Sequence, residues 1–153
     1  MLSKHVTIKE GVYSITAKRL GLENNPSEDH LANMKLLAEK VFEPLRAHVG
    51  GPIKINSFYR GPELNKAIGG SSKSQHCQGM AMDIDDTYGN MSNADMYKFI
   101  KENLDFDQMI WEFGTDENPN WIHVSYVNED SNRRRCLKAY RTPGSKGTKY
   151  MVI

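Results

Sequence analysis

The hydrophobic pattern changes period at Gly50-Gly51, and that change limits the architecture more than any single motif does. Before it, apolar residues recur at Leu31, Met34, Ala38, Val41, Leu45 and Val49, the three-and-four spacing of one face of a long helix. Ser27 stands as its N-cap, Glu28 and Asp29 fill its first turn, and the paired glycines end it. Pro44 falls inside the pattern, so a kink or break is expected near Glu43. After Gly51 the runs are short and bounded by turn residues. "PIKINSFYR", "MAMDID", "FDQMIWEF", "WIHVSY" and "RCLKAY" read as strands. Between them "PELNKAIGG" reads as a short helix with Pro62 in its first turn and Gly69-Gly70 at its end. A second helix is expected from Ser92 as N-cap to about Asn103, with Met96, Phe99 and Ile100 facing inward. Helices first and strands clustered late predict an α+β fold, a mainly antiparallel sheet flanked by helices.

No repeat or Pro/Ser-rich linker divides the 153 residues, so residues 1–153 are expected to form a single domain. A chain of this size buries a core without help from a metal, and any zinc would serve chemistry more than stability. Twenty basic against nineteen acidic side chains give no electrostatic footprint for nucleic acid. The one basic run, Arg133-Arg134-Arg135, reads as a solvated edge or turn. The N-terminal "MLSKHVTIKEGVYSITAK" alternates polar and apolar residues like folded protein and lacks the apolar region of a signal peptide. No stretch approaches a membrane span, so synthesis in the cytoplasm without membrane insertion is expected. Cys77 and Cys136 form no CxxC pattern and are expected as free thiols. The C-terminal "RTPGSKGTKYMVI" reads as a loosely ordered tail with an apolar, strand-like end.

Strand parity sorts the side chains that carry chemistry. In "MAMDID", Met80, Met82 and Ile84 face one way, and Ala81, Asp83 and Asp85 the other. If Gly114 to Asn120 close a hairpin, Met109, Trp111 and Phe113 share a core face with Ile122, Val124 and Tyr126. Glu112 then emerges on the opposite face beside Trp121, His123 and Ser125. A mononuclear catalytic zinc requires three protein ligands and one position left open. His76, Asp83 and His123 supply two imidazoles and a carboxylate of the right type. Glu112, a carboxylate in an apolar strand, is a candidate general base, because burying an unpaired carboxylate requires a partner or a use. Arg60, at the end of "INSFYR", offers a fixed cation for a substrate carboxylate or a developing oxyanion. Taken alone, the seven-residue spacing of His76 and Asp83 fits an ordinary loop histidine as readily, and a histidine after a tryptophan in a strand is more often structural.

As an ordered set, "SFYRGPELNKAIGGSSKSQHCQGMAMDID", "FDQMIWEFG" and "NWIHVSY" resemble the zinc D-Ala-D-Ala carboxypeptidase and L-alanyl-D-glutamate endopeptidase family of peptidoglycan peptidases. The likeness covers roughly Lys54 to Tyr126 and rests on S-x-Y-R, S-x-H-x6-D and W-x-H in that order. It implies the hedgehog/DD-peptidase fold and Zn2+ on His76, Asp83 and His123. It further implies Arg60 near the substrate and Ser74 as the hydroxyl two residues before the first ligand. Trp121 is read either as a wall of the substrate cleft or as core. Some members of the wider family carry an acid three positions before the last ligand, or a histidine two before it; here Asn120 and Trp121 stand there, and neither can act as a base. The base is therefore carried to Glu112, with Asp116 and Glu117 as weaker alternatives.

The expectation is a zinc metallopeptidase that hydrolyses an amide bond in peptidoglycan stem peptides, either a D,D-carboxypeptidase or an L,D-endopeptidase. Its setting would be a monomeric phage or prophage cell-wall lysis enzyme, acting after release or carried on the virion. The alternative is a non-catalytic, zinc-containing cell-wall-binding module, or a phage structural protein with the same fold. His30 and His48 are read as surface residues of the long helix, and His5 as part of a strand-like segment without an acidic partner. Asp85 is read as an acceptor for a ligand histidine or as a solvated strand end.

Overall fold

The computed structural model describes residues 1–153. Two short helices lead: α1, Ile8–Val12, and α2, Ile15–Leu20. The N-terminal segment is thus mostly helical, with only an isolated Ser3–Val6 bridge of strand character. The strand-like reading passes over the start of α1, which is a capping box: the Thr7 hydroxyl accepts from the Glu10 N–H while the Glu10 carboxylate accepts from Thr7. His5 does have an acidic partner: its Nδ1 lies 2.5 Å from Glu43 Oε1, 38 residues away.

The expected long helix runs as α3, Glu28–Leu37, then a π-helical turn over Ala38–Phe42, then α4, Glu43–Val49. Ser27 caps it and Gly50 ends it in the left-handed conformation at φ 77°. The π turn lies where Pro44 predicts a disturbance. Proline has no N–H to offer Lys40 and its ring crowds that carbonyl; with the Glu43 N–H bonded to Ala38 O, the widened turn absorbs the mismatch.

The strands are β1 Lys54–Ser57, β2 Ala81–Asp85, β3 Gln108–Glu112, β4 Trp121–Ser125, β5 Arg135–Tyr140 and β6 Lys149–Val152. They form one sheet in the order β1-β2-β4-β3-β5-β6, antiparallel except for the β3/β5 pair. The remaining helices are α5, Pro62–Ala67, and α6, Asn93–Asn103, capped by Ser92 as expected. Strand β1 is shorter than its sequence run suggests, so Arg60 lies three residues past its end. The end of the tail is ordered as β6 at the edge of the sheet.

One sheet face is apolar and covered. Met82, Ile84, Met109, Ile122 and Val124 are fully buried with Met34, Leu37, Val41 and Leu45 of the long helix and Met96 and Ile100 of α6. Each such side chain contributes about 1.5–3 kcal/mol when removed from water. Phe113 departs from the expected alternation. Its φ of 57° and that of Gly114, 73°, turn the chain at the end of β3, and Phe113 packs with Ile110, Leu137 and Ala139 on the opposite face. A Cβ on Gly114 would lie 2.3 Å from the Asn118 carbonyl oxygen, so this turn requires glycine. No helix is long and apolar enough to cross a membrane.

Candidate metal centre

The opposite sheet face carries the ionisable residues. Register places Asp83, His123 and Ile110 side by side on β2, β4 and β3, and the next row holds Trp121 beside Glu112, then Ala139 and Tyr150. Facing partners in neighbouring strands project to the same side, so one surface collects a carboxylate and an imidazole on adjacent strands.

His76 reaches this surface from a 3₁₀ turn, Gln75–Gln78. The Ser74 hydroxyl caps the turn by accepting from the His76 N–H, and it also accepts from Arg60 Nη2 at 3.4 Å. Gly79 closes the turn at φ 72°, where a Cβ would come within 2.5 Å of the His30 carbonyl oxygen in α3. Asn33 of α3 donates to Gln78 O at 2.9 Å. The loop that carries His76 is therefore clamped onto the long helix, and His30, expected on the surface, lies half-buried beneath it. His48 is exposed as expected and stacks on Phe99 at 3.9 Å between ring centroids.

His76, Asp83 and His123 converge, with one potential ligand atom from each lying within 4.8 Å of the others. Asp83 Oδ1 is 3.4 Å from His76 Nε2 and 3.1 Å from His123 Nδ1. Tetrahedral zinc with ligand bonds of about 2.0–2.1 Å holds neighbouring ligand atoms roughly 3.3 Å apart, so these two separations fit such an ion. His76 Nδ1 donates to the Phe58 carbonyl at 2.7 Å, which leaves Nε2 unprotonated and turned toward the cluster. Burial pushes the His76 pKa down, favouring the neutral imidazole that binds metal. Burial opposes ionisation of Asp83, but the two histidines outweigh it and hold the carboxyl well below the usual range. The donor set, the tautomer and the spacing all suit a zinc ion.

Glu112 occupies the next row. It is 9% exposed, and burial is the main reason its pKa is pushed up to about 7; His123 and Arg141 pull it down and Asp83 pushes it further up. In the metal-free chain this carboxyl therefore exchanges its proton near neutrality, and a cation held by the neighbouring cluster would favour the ionised form that a general base requires. The alternatives do not reach this surface. Asp116 is fully exposed and pairs with Lys138, and Glu117 is exposed in the same loop.

The cluster lines a cleft of about 590 Å³ that also collects Arg60, Ser74, Glu112 and Trp121. Trp121 is half-buried and packs on Phe113 at 5.6 Å between ring centroids, so it forms a cleft wall and not part of the main core. Arg60 Nε is buried without a partner. Asp85 holds no histidine: it accepts from Asn93 at 2.7 Å and Thr87 at 2.8 Å, securing the turn after β2, while the Phe58 carbonyl supports the ligand. Cys77 and Cys136 are free.

Three features were missed at the level of sequence. Arg133 is not a freely solvated member of a basic run, because it grips the buried Asp107 through its backbone N–H, Nε and Nη2 at 2.8–3.0 Å. Its neighbour Arg134 donates to the Leu104 and Lys101 carbonyls at the end of α6. Tyr150 of β6 lines the cleft. The first two link residues about 26 to 33 apart and leave no short-range pattern; for Tyr150 the alternation of the terminal run was the available signal.

A three-ligand His/Asp/His cluster, open to a cleft and with a buried carboxylate one row away, is a site of the mononuclear metallohydrolase class. The peptidase M15 family model matches residues 4–125, and the chain belongs to that family, whose peptidases are in general zinc-dependent. The mixed six-stranded sheet with its helices agrees with the M15 fold. No curated protein matches the chain.

Proposed function

We propose that the protein is a zinc metallopeptidase that hydrolyses an amide bond in peptidoglycan stem peptides, as a D,D-carboxypeptidase or an L,D-endopeptidase. The observation that carries this reading is the convergence of His76 Nε2, Asp83 Oδ1 and His123 Nδ1 in a cleft beside Glu112, in a chain of the M15 family. His76, Asp83 and His123 would hold the ion. Bound zinc supplies Lewis-acid polarisation and draws the pKa of the attacking water toward neutrality.

The chain's own groups account for the rest. The Glu112 carboxylate takes the proton of the attacking water and returns it to the leaving amine. Arg60, steadied by Ser74, orients a substrate carboxylate or offsets charge on the carbonyl oxygen, and its partnerless Nε marks unused donor capacity. Trp121 walls the cleft. The biological setting of this reading is a phage or prophage lysis enzyme, acting on the wall after release or from the virion.

Incubation of the protein with purified peptidoglycan, with zinc and with a chelator, followed by mass spectrometry of the released muropeptides, tests the proposal. New amine termini with zinc and none with chelator are expected, and the masses identify the bond. Absence of new termini with zinc supplied overturns it. Glu112→Gln separates an enzyme from a binding module: an enzyme loses turnover by roughly 10²–10⁴-fold while keeping its zinc, whereas a module has no turnover to lose.

A further inference from the structure

The cleft has chemically different ends. Its floor includes Gln108, Ile110 and Glu112 of β3, which span about 13 Å at strand rise. The Glu112 end belongs to the row with Trp121 and Tyr150, an acid between two aromatics. The Gln108 end lies beside β5 residue Arg135, and Arg133 stands just before it.

Arg133 at that end is rigidly built. Asp107, 2% exposed, accepts from Arg133 Nε at 3.0 Å and Nη2 at 2.8 Å, and from Gln75 Nε2 at 2.9 Å. Burial alone would raise the Asp107 pKa, but these donors prevail and keep it low, so the aspartate stays charged and the guanidinium stays anchored. The anchoring uses one edge of the guanidinium. The side chain is still 52% exposed, and its Nη1 is left without a protein acceptor at the cleft wall.

The Gln75–Asp107 bond also draws the Ser71–Gln75 loop to this end, and Lys73 on that loop lines the same cleft without an ion-pair partner. The cleft thus presents Arg60, Lys73 and Arg133 against only Asp83 and Glu112, and Asp83 is committed to the metal cluster. A fixed guanidinium edge and an exposed ammonium without an ion-pair partner are matched by a carboxylate.

We propose that Arg133 and Lys73 form an anion subsite that binds a substrate carboxylate remote from the bond being cut, separate from the role assigned to Arg60. The proposal rests on the peptidase reading above and deepens it: the preferred substrates are acidic peptides, and amidation of the carboxylate that docks here protects them. Which carboxylate is remote depends on the bond cut: for a D,D-carboxypeptidase, whose cut adjoins the C-terminal carboxyl, it is the α-carboxyl of the γ-linked D-glutamate, and for an L,D-endopeptidase, whose cut adjoins that α-carboxyl, it is the C-terminal carboxyl.

The test uses three synthetic pentapeptides, L-Ala-γ-D-Glu-L-Lys-D-Ala-D-Ala as the free acid, with the D-glutamate α-carboxyl amidated, and with the C-terminus amidated. Their kcat/KM is measured with zinc-loaded wild type and the Lys73→Met/Arg133→Lys double variant. The lysine at 133 keeps a cation beside buried Asp107 while removing the planar fork, so the fold is retained. One amide is expected to lower wild-type kcat/KM at least tenfold, mainly through KM, and the double variant to lose most of that discrimination; the amide responsible identifies the source. Calorimetric titration of the same peptides into zinc-loaded Glu112→Gln protein reads the preference without turnover. If no peptide is cut, the peptidase reading fails, and calorimetry still decides the subsite. Equal binding of acid and amides by protein with Lys73 and Arg133 intact, or discrimination unchanged in the double variant, overturns the subsite.

Discussion

Replacing Glu112 by glutamine in the metal-free protein isolates the energetic consequence of burying that carboxylate. Glu112 is 9% exposed, and its pKa is raised from 4.5 to about 7, chiefly by burial. Between those values the folded state holds a proton that the unfolded state has released. Stability contributed by the protonated carboxyl is full below pH 4.5 and is lost as pH rises through 7. A raised pKa of this size corresponds to about 3 kcal/mol, and partial solvent access from the open cleft reduces the expected loss to about 2 kcal/mol. Glutamine has nearly the same shape and no charge to expose. Any cost of burying its amide appears as an offset at pH 4.5, and the effect of charge appears in the pH dependence.

Urea unfolding of both proteins in chelator, at intervals from pH 4.5 to 8, measures the difference directly, since the other titrating groups are shared. The glutamine protein should gain about 2 kcal/mol relative to wild type across that range, with unchanged m-values. For a domain of this size the same change moves the melting temperature by roughly 4–8 °C. Parallel stability curves would refute the reasoning, because they would mean that Glu112 keeps its ordinary pKa in the folded protein and that its burial does not oppose ionisation.

Two further outcomes follow from the metal cluster and its supporting loop. Zinc at about a hundred times its Kd should stabilise the wild type by about 2.7 kcal/mol, raising the melting temperature by roughly 5–10 °C; His123→Ala should abolish most of that shift, and an equal shift in the variant counts against the three-ligand site. Gly79→Ala forces a Cβ to within 2.5 Å of the His30 carbonyl at a positive φ, so a loss of about 2 kcal/mol or more is expected in denaturant unfolding, with weaker zinc binding by competitive chelation; an unchanged midpoint would show that the loop is not clamped to α3.

Much of the site was legible because its logic is short-range. Period two in "MAMDID" and "WIHVSY" separates Met82, Ile84, Ile122 and Val124 from Asp83 and His123, and the structure keeps that partition. The same parity places Glu112 beside Trp121 and on the face of His123. It fails at Phe113, where a positive φ rotates the side chain off the expected face, a backbone event that alternation does not register. Proline chemistry located the disturbance near Glu43, although its form is a π turn and not a sharp kink. The pairings of Arg133 with Asp107 and of His5 with Glu43 connect residues 26 and 38 positions apart, and only the folded chain brings them together.

The placement of β5 and β6 separates two tasks that many enzymes build into one loop. Asp83 and His123 sit on adjacent strands in the interior of the sheet, whereas Tyr150 hangs on its outermost strand, exposed along its whole length. Changes to the edge are free to reshape the cleft mouth while the strands that carry Asp83 and His123 keep their neighbours. For protein engineering, residues 142–153, beyond the Arg141 that faces Phe113 and Glu112, are therefore the natural place to graft altered selectivity, and the inner strands are the part to leave untouched.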